Sequence, residues 1–144
     1  MIQVDSLVKE FKKKDGSSFR AVDGVTFEAQ NGEIVCLLGV NGAGKTTIMR
    51  ILSTVFNPQS GSALINGFDV ITQGDKVRGS LGFLSGDTGL YARLTPREFI
   101  RYFGRLYGVE DKDIESRMLE MATLLEMHDF LDKKIEFLSS GMKQ

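Results

Sequence analysis

Glu33-Ile-Val-Cys-Leu-Leu-Gly-Val-Asn-Gly-Ala-Gly-Lys-Thr-Thr-Ile48 is the stretch on which the fold turns. After Glu33 its first part is apolar to Leu38 without polar alternation, the pattern of a core strand covered on both faces. Gly39-Val-Asn-Gly-Ala-Gly-Lys-Thr46 then places two glycines, four residues between them, ahead of a lysine and a threonine. From Gly44 onward Ile48, Ile51, Leu52 and Val55 recur at three- and four-residue spacing, which predicts a helix ending before Asn57-Pro58. Strand, glycine loop and helix are contiguous, and that context gives the loop its chemistry. Phosphate oxygens only accept hydrogen bonds, so a loop that binds them must turn successive backbone N–H groups inward; glycines permit the turn and the close approach. Gly39, Asn41, Gly42, Ala43 and Gly44 supply such a backbone, and the helix start adds unpaired amides and the positive end of its dipole. Lys45 is placed to neutralise β- and γ-phosphates, Thr46 to ligate Mg²⁺ and Thr47 to reach an α-phosphate.

This loop defines a ligand class and not a reaction, because kinases, GTPases and ATPases all use it. No Asn in the chain is followed by Lys, so the guanine-reading Asn-Lys-x-Asp motif is missing and adenine is the expected base. The remainder of the composition narrows the class further. The 144 residues are 42% apolar and 26% charged, with 18 basic and 19 acidic side chains, as expected of a folded domain. A formal charge of -1 provides no overall basic field for nucleic acid. The longest apolar run, Ile34 to Leu38, is far short of the ~20 residues that span a bilayer, and the N-terminus lacks the apolar core of a secretion signal. A single cysteine, Cys36, fits a reducing, cytosolic location and is expected to pack inside the core strand.

Outward from the loop, residues 2–10 and 19–28 alternate apolar and polar positions around a polar turn at Asp15-Gly16, predicting two antiparallel strands. Ser62 to Asn66, closed by Asn66-Gly67, reads as a short strand, and Leu81 to Leu84 as another after a brief helix at 72–79. Thr95-Pro96-Arg97-Glu98 is a helix start in which cap and third residue satisfy each other's amides. The stripe Phe99, Tyr102, Phe103, Leu106, Tyr107 and a second one, Ile114, Met118, Met121, Leu125, predict a helical hairpin over about 96–108 and 111–126. The expected organisation is therefore a β layer with the phosphate loop over 1–94, a helical subdomain over 95–137, and a closing motif over 138–144.

That closing motif, Leu138-Ser-Ser-Gly-Met142, read with Gly39–Thr47, resembles the LSGGQ signature of the nucleotide-binding domain of ABC transporters. The resemblance implies an α/β phosphate-loop NTPase of the ABC type, with an N-terminal antiparallel layer and a helical subdomain. It further implies an ATP-binding subunit that couples ATP binding and hydrolysis, with Mg²⁺, to export through a separate membrane-spanning permease. Ser139 and Gly141 would then touch the γ-phosphate held by a second nucleotide-binding subunit in a head-to-tail dimer, at a helix that Ser139 can cap. Phe11 falls near the aromatic that stacks on adenine in this family; Phe19 competes for that place, and a core phenylalanine is the third reading. The strings FLSGDTGLYARLTPRE and LSSGMKQ resemble exporter-type subunits, the sodium-extrusion group in particular. Such a subunit would lie in the cytoplasm, peripheral to the membrane through its permease, with no nucleic acid partner.

The chain departs from the family pattern in two places. Gly86 stands where the family carries the Q-loop glutamine, with Ser85 or Asp87 as oxygen-bearing substitutes and a plain surface turn as the alternative. No run of about four apolar residues ends in Asp, as the Walker B strand requires; Asp23 and Asp132 each follow only two, and Asp129 follows His128. His128 precedes the expected switch-histidine position and reads as a solvated or capping residue; Lys12-Lys13-Lys14 reads as a hydrated turn. A chain cut off after its signature is expected, with the C-terminal part of the core sheet missing and hydrolysis slow or absent. The alternatives are a non-catalytic nucleotide-binding or regulatory fragment, and an ABC-type protein acting on ribosomes or DNA, which the charge and the single phosphate loop disfavour.

Overall fold

Alternating side chains on both sides of one tight turn make the first hairpin. In the computed structural model, which describes residues 1–84 and 89–143, the chain divides into two units, Met1–Leu84 and Ser85–Gln144. In the first unit β1 (Ile2–Lys12) pairs antiparallel with β2 (Ser18–Ala29), from Ile2 opposite Ala29 to Lys12 opposite Ser18. Gly16 takes φ 84° in the turn. Ser17 donates to the Asp15 carboxylate through its amide at 2.9 Å and its hydroxyl at 2.6 Å, which holds that carboxyl below its ordinary pKa. On the other side of β1 lies β3 (Ser60–Ile65), followed by β4 (Phe68–Asp69), so the sheet order is β2-β1-β3-β4 and every pairing is antiparallel. The two-residue link Asn66-Gly67 has positive φ at both positions, the geometry that matches the twist of flanking strands.

One face of this sheet carries the core. Val4, Leu7, Val22, Ala63 and Ile65 pack with Ile48, Ile51 and Leu52 of α1 (Lys45–Leu52), with Val70, and with Val77 of α2 (Gly74–Ser80). Burial of each Leu or Ile contributes roughly 1.5–3 kcal/mol, so these side chains anchor α1 and the loop before it. Asp69 closes the turn that leads toward α2 by accepting from the amides of Ile71 and Thr72 and from the Thr72 hydroxyl.

Three expectations fail in this unit. Glu33 to Leu38 forms no strand: Ile34 is 101% exposed, Leu38 is 88% exposed, and Cys36 lies at the surface instead of packing in a core. Its apolar run has the composition of a buried strand, but burial of a central strand depends on neighbours hydrogen-bonded along both edges, and among the described residues no strand pairs with it. Only Leu37 packs against the core from this segment. Leu81 to Leu84 is likewise unpaired. Finally, α1 stops at Leu52 because Thr54 turns to φ 64°, which puts Val55 beyond the helix and 58% exposed.

In the second unit the Thr95 hydroxyl accepts from the Glu98 amide while the Glu98 carboxylate accepts from the Thr95 amide, so the expected reciprocal cap starts α3 (Pro96–Leu106). The chain reverses through Gly108 into α4 (Asp111–Leu124), giving the expected hairpin. Gly104 lets the helices approach: a Cβ there would stand 2.6 Å from Ile114 Cδ1. The buried stripe of α4 is Ile114, Met118 and Ala122, whereas Met121 and Leu125 face solvent. Strict four-residue steps select the face that meets the segment carrying Leu131, and the small Ala122 was invisible to a count of large apolar residues. On α3 Tyr102, Leu106 and Tyr107 are exposed, and only Phe99 and Phe103 of that stripe are half-buried, their rings 4.7 Å apart. Arg97 joins Glu115 and, at 2.7 Å, Asp132; Arg101 reaches the same Glu115 at 3.0 Å. The hydrogen bond from Arg97 holds Asp132 below the usual carboxylate range.

Candidate functional site

The loop is built by two backbone decisions. Gly44 takes φ 86° as the N-cap of α1 and carries no capping side chain, so the first-turn amides of Lys45, Thr46 and Thr47 have no partner within the helix or from a cap. Gly42 takes φ 85°, a left-handed conformation that favours glycine, with no heavy atom within 4 Å of where a Cβ would stand. Ala43 donates back to the Val40 carbonyl at 3.1 Å and closes the turn. The Lys45 ammonium donates to the carbonyls of Gly39 at 2.6 Å and Val40 at 2.8 Å. An ammonium has three N–H groups, so one remains for an acceptor outside the loop.

Asn41, Gly42, Ala43, Gly44, Lys45, Thr46 and Thr47 line one cavity of about 300 Å³, together with Phe11, Phe19 and Ala21. Its lining combines the loop residues, Lys45 and the two threonines with Phe11 and Phe19. Gly39 contributes through its carbonyl to Lys45 and does not line the cavity. Phe11 and Phe19 stand directly opposite each other on β1 and β2. The Phe11 ring meets Phe56 edge-on at 5.4 Å, and the Lys9 ammonium sits 5.3 Å from the Phe11 ring centre. Ala21 is a cavity residue beyond the expected site residues. Its signal is a small residue two positions after Phe19, on the same strand face and beside the Gly44 backbone.

Ser139 and Gly141 lie in the second unit. Ser139 precedes the four-residue helix α5 (Ser140–Lys143), and its hydroxyl accepts from the Met142 amide at 3.3 Å. Leu138 anchors this turn in the unit's interior, while Ser139 and Gly141 are exposed. Ser85, Gly86 and Asp87 fall outside the described residues. His128 lies within 2.9 Å of the Thr123 hydroxyl, a local contact at the end of α4. Asp132 is engaged by Arg97, and Asp23 by Arg20 at 2.9 Å. Among the described residues no helix is long and apolar enough to cross a membrane.

An antiparallel layer, a glycine loop capping a helix, and a cavity that this loop lines together with two phenylalanines define a phosphate-loop α/β domain with a helical subdomain. The chain belongs to the ABC transporter family of ATP-binding domains, whose family model, described as ABC transporter, matches residues 22–144. It is 36% identical over 145 residues to the ABC transporter ATP-binding protein NatA of Bacillus subtilis, a match that covers all of this chain and 58% of NatA. Among solved structures it is similar to the ATP binding subunit of an ABC transporter, with TM-score 0.83 and 26% identity over 99% of this chain and 57% of that one. The dimeric bacterial ABC transporter cassette MJ0796 shares the fold, with TM-score 0.85 and 23% identity over 99% of this chain and 65% of that one. The chain thus spans less than two thirds of the length of these relatives.

Proposed function

We propose that this chain binds Mg-ATP at the cavity formed by Asn41 to Thr47, as part of an ATP-binding subunit that works with a membrane-spanning permease in export. The observation that carries the reading is the convergence of uncapped helix amides, Lys45 and the Thr46 and Thr47 hydroxyls on one cavity. Those groups donate hydrogen bonds and positive charge, which is the donor set that a triphosphate needs. Gly42, Ala43 and Gly44 bring backbone close to the phosphates, and Lys45 bridges loop carbonyls and ligand. Mg²⁺, when bound, would be held by the Thr46 hydroxyl and would offset charge on the phosphate oxygens. Similarity to NatA supports the transporter role, and the resemblance of residues 83–98 and 138–144 to exporter-type subunits supports the direction.

Ser139 and Gly141 are proposed to meet the nucleotide of a second subunit in a head-to-tail dimer; the dimeric cassette MJ0796, which has this fold, supports that pairing. For the 144 residues themselves we propose binding without efficient turnover. Positioning of metal and water supplies most of the catalysis in phosphoryl transfer, and Asp23 and Asp132, the carboxylates nearest the Walker B pattern, are each held by an arginine. Equilibrium binding of Mg-ATP to the purified chain and to Lys45→Ala tests the assignment. The wild type should bind at least tenfold more tightly, and equal affinity would remove the phosphate-loop reading.

A further inference from the structure

The first turn of α3 leaves no donor idle. Pro96 has no amide N–H, the Glu98 amide goes to the Thr95 hydroxyl, and the Arg97 amide donates to the Leu131 carbonyl at 3.1 Å. Bonding continues on the other side of the cap, where Ile135 donates to the Leu94 carbonyl at 2.9 Å and Glu136 to the Ala92 carbonyl at 3.0 Å. Residues 92–97 and 131–136 therefore run antiparallel, strapped together through their backbones. Leu131, Ile135 and Leu138 are buried and press the later segment into the interior of this unit.

Arg97 grips that segment twice. Besides its amide bond to Leu131, its guanidinium forks onto the neighbouring Asp132, Nε to Oδ1 at 2.7 Å and Nη2 to Oδ2 at 3.1 Å, while Nη1 donates to Glu115 of α4. Apolar burial is non-directional and tolerates a slide of the segment along the helices. A planar fork on a carboxylate does not, because both of its bonds are lost together when the partners shift. Arg97 thus ties α3, α4 and the segment leading to Ser139 into one register. Ser139 directly follows the buried Leu138, so it inherits that register.

We propose that Arg97 is a positioning residue for the turn of Ser139 and Gly141, fixing through Asp132 and Glu115 the direction in which those two residues face. This rests on the reading above that the turn meets a second subunit's nucleotide, and it names what aims the turn. Asp132 is exposed, so the pair adds little to stability and its consequence is geometric.

Amide NMR signals of the purified 144-residue chain provide the test. Arg97→Lys keeps the charge and loses the fork, and Asp132→Asn removes the charged acceptor. Each should shift the Gly141 and Met142 signals and speed hydrogen exchange at Met142 and Lys143, whose amides donate to Ser139, by about fivefold. The double variant should do no more than either single one, because both remove the same fork. Mg-ATP affinity at the Lys45 loop should stay at its wild-type value, while pairing of two copies in Mg-ATP should weaken by about fivefold as well. Arg105→Lys, which breaks the Arg105–Asp111 pair on the same helix, should leave Gly141 and Met142 unmoved. Unchanged signals in Arg97→Lys, additive effects in the double variant, or an equal response to Arg105→Lys would each overturn the proposal. Failure of the second-subunit reading is read separately, from a wild-type chain that stays monomeric in saturating Mg-ATP.

Discussion

The carbonyl of Ala21 lies under Gly44 so closely that a Cβ on residue 44 would stand 2.2 Å from its oxygen. Two elements that are 23 residues apart in sequence meet there, and the absence of a side chain at Gly44 is what permits it. The same glycine holds φ 86°, a left-handed conformation in which an L side chain is strained. Gly44→Ala is expected to cost about 1–3 kcal/mol from the backbone alone, with displacement of β2 or the loop in addition. Urea midpoints measure the stability, and Mg-ATP affinity should fall at least tenfold. Wild-type values for both would show that the loop does not need this approach.

The reciprocal cap of α3 makes a narrower prediction. Thr95→Ala removes the acceptor for the Glu98 amide and should destabilise the chain by about 1 kcal/mol, whereas Thr95→Ser should keep most of that stability. Denaturant unfolding followed by circular dichroism distinguishes the two. Equal loss in both variants would mean that packing of the threonine methyl, and not capping, matters at this position.

Ile34 and Leu38 test how the segment before the loop is held. Each is more than 85% exposed, so Ile34→Ser and Leu38→Ser should shift stability by no more than about 0.5 kcal/mol. Both should raise the concentration at which the chain precipitates, because an unpaired apolar extended segment is an aggregation hazard. A loss of 2 kcal/mol or more from either would show that the segment is packed as a strand.

Asp69 links stability to pH. The Thr72 amide, followed by the Thr72 hydroxyl and the Ile71 amide, lowers its pKa from the ordinary 3.8, so the folded state favours the carboxylate. Because the folded pKa lies below the unfolded one, this contribution is fully present above pH 3.8 and is lost as pH falls through the folded value. Asp69→Asn should be less stable than wild type at pH 7, and the gap should close below 3.8. Urea midpoints measured from pH 7 down to 2 check the sign; a gap that widens in acid would contradict it.

Much of this protein was legible in local pattern. The phosphate loop reads from Gly39 to Thr46 because its geometry is made by neighbouring residues: glycines that take positive φ, then a helix whose first amides need no distant partner. The Thr95 cap and the Asn66-Gly67 turn are local for the same reason, and each is formed as expected. What the tertiary structure alone decided depends on neighbours distant in the chain. Glu33 to Leu38 carries the composition of a core strand yet lies unpaired, since a strand exists only through the edges beside it. The buried stripe of α4 runs through Ala122 instead of Met121 because the segment around Leu131 chooses the face. Phe11 and Phe19 look equivalent as letters; the packing of Phe56 and Lys9 around Phe11 braces that ring, while Phe19 stays exposed. Sequence sets torsions and periodicity within a turn or two, and the pairing of remote surfaces settles which face is covered.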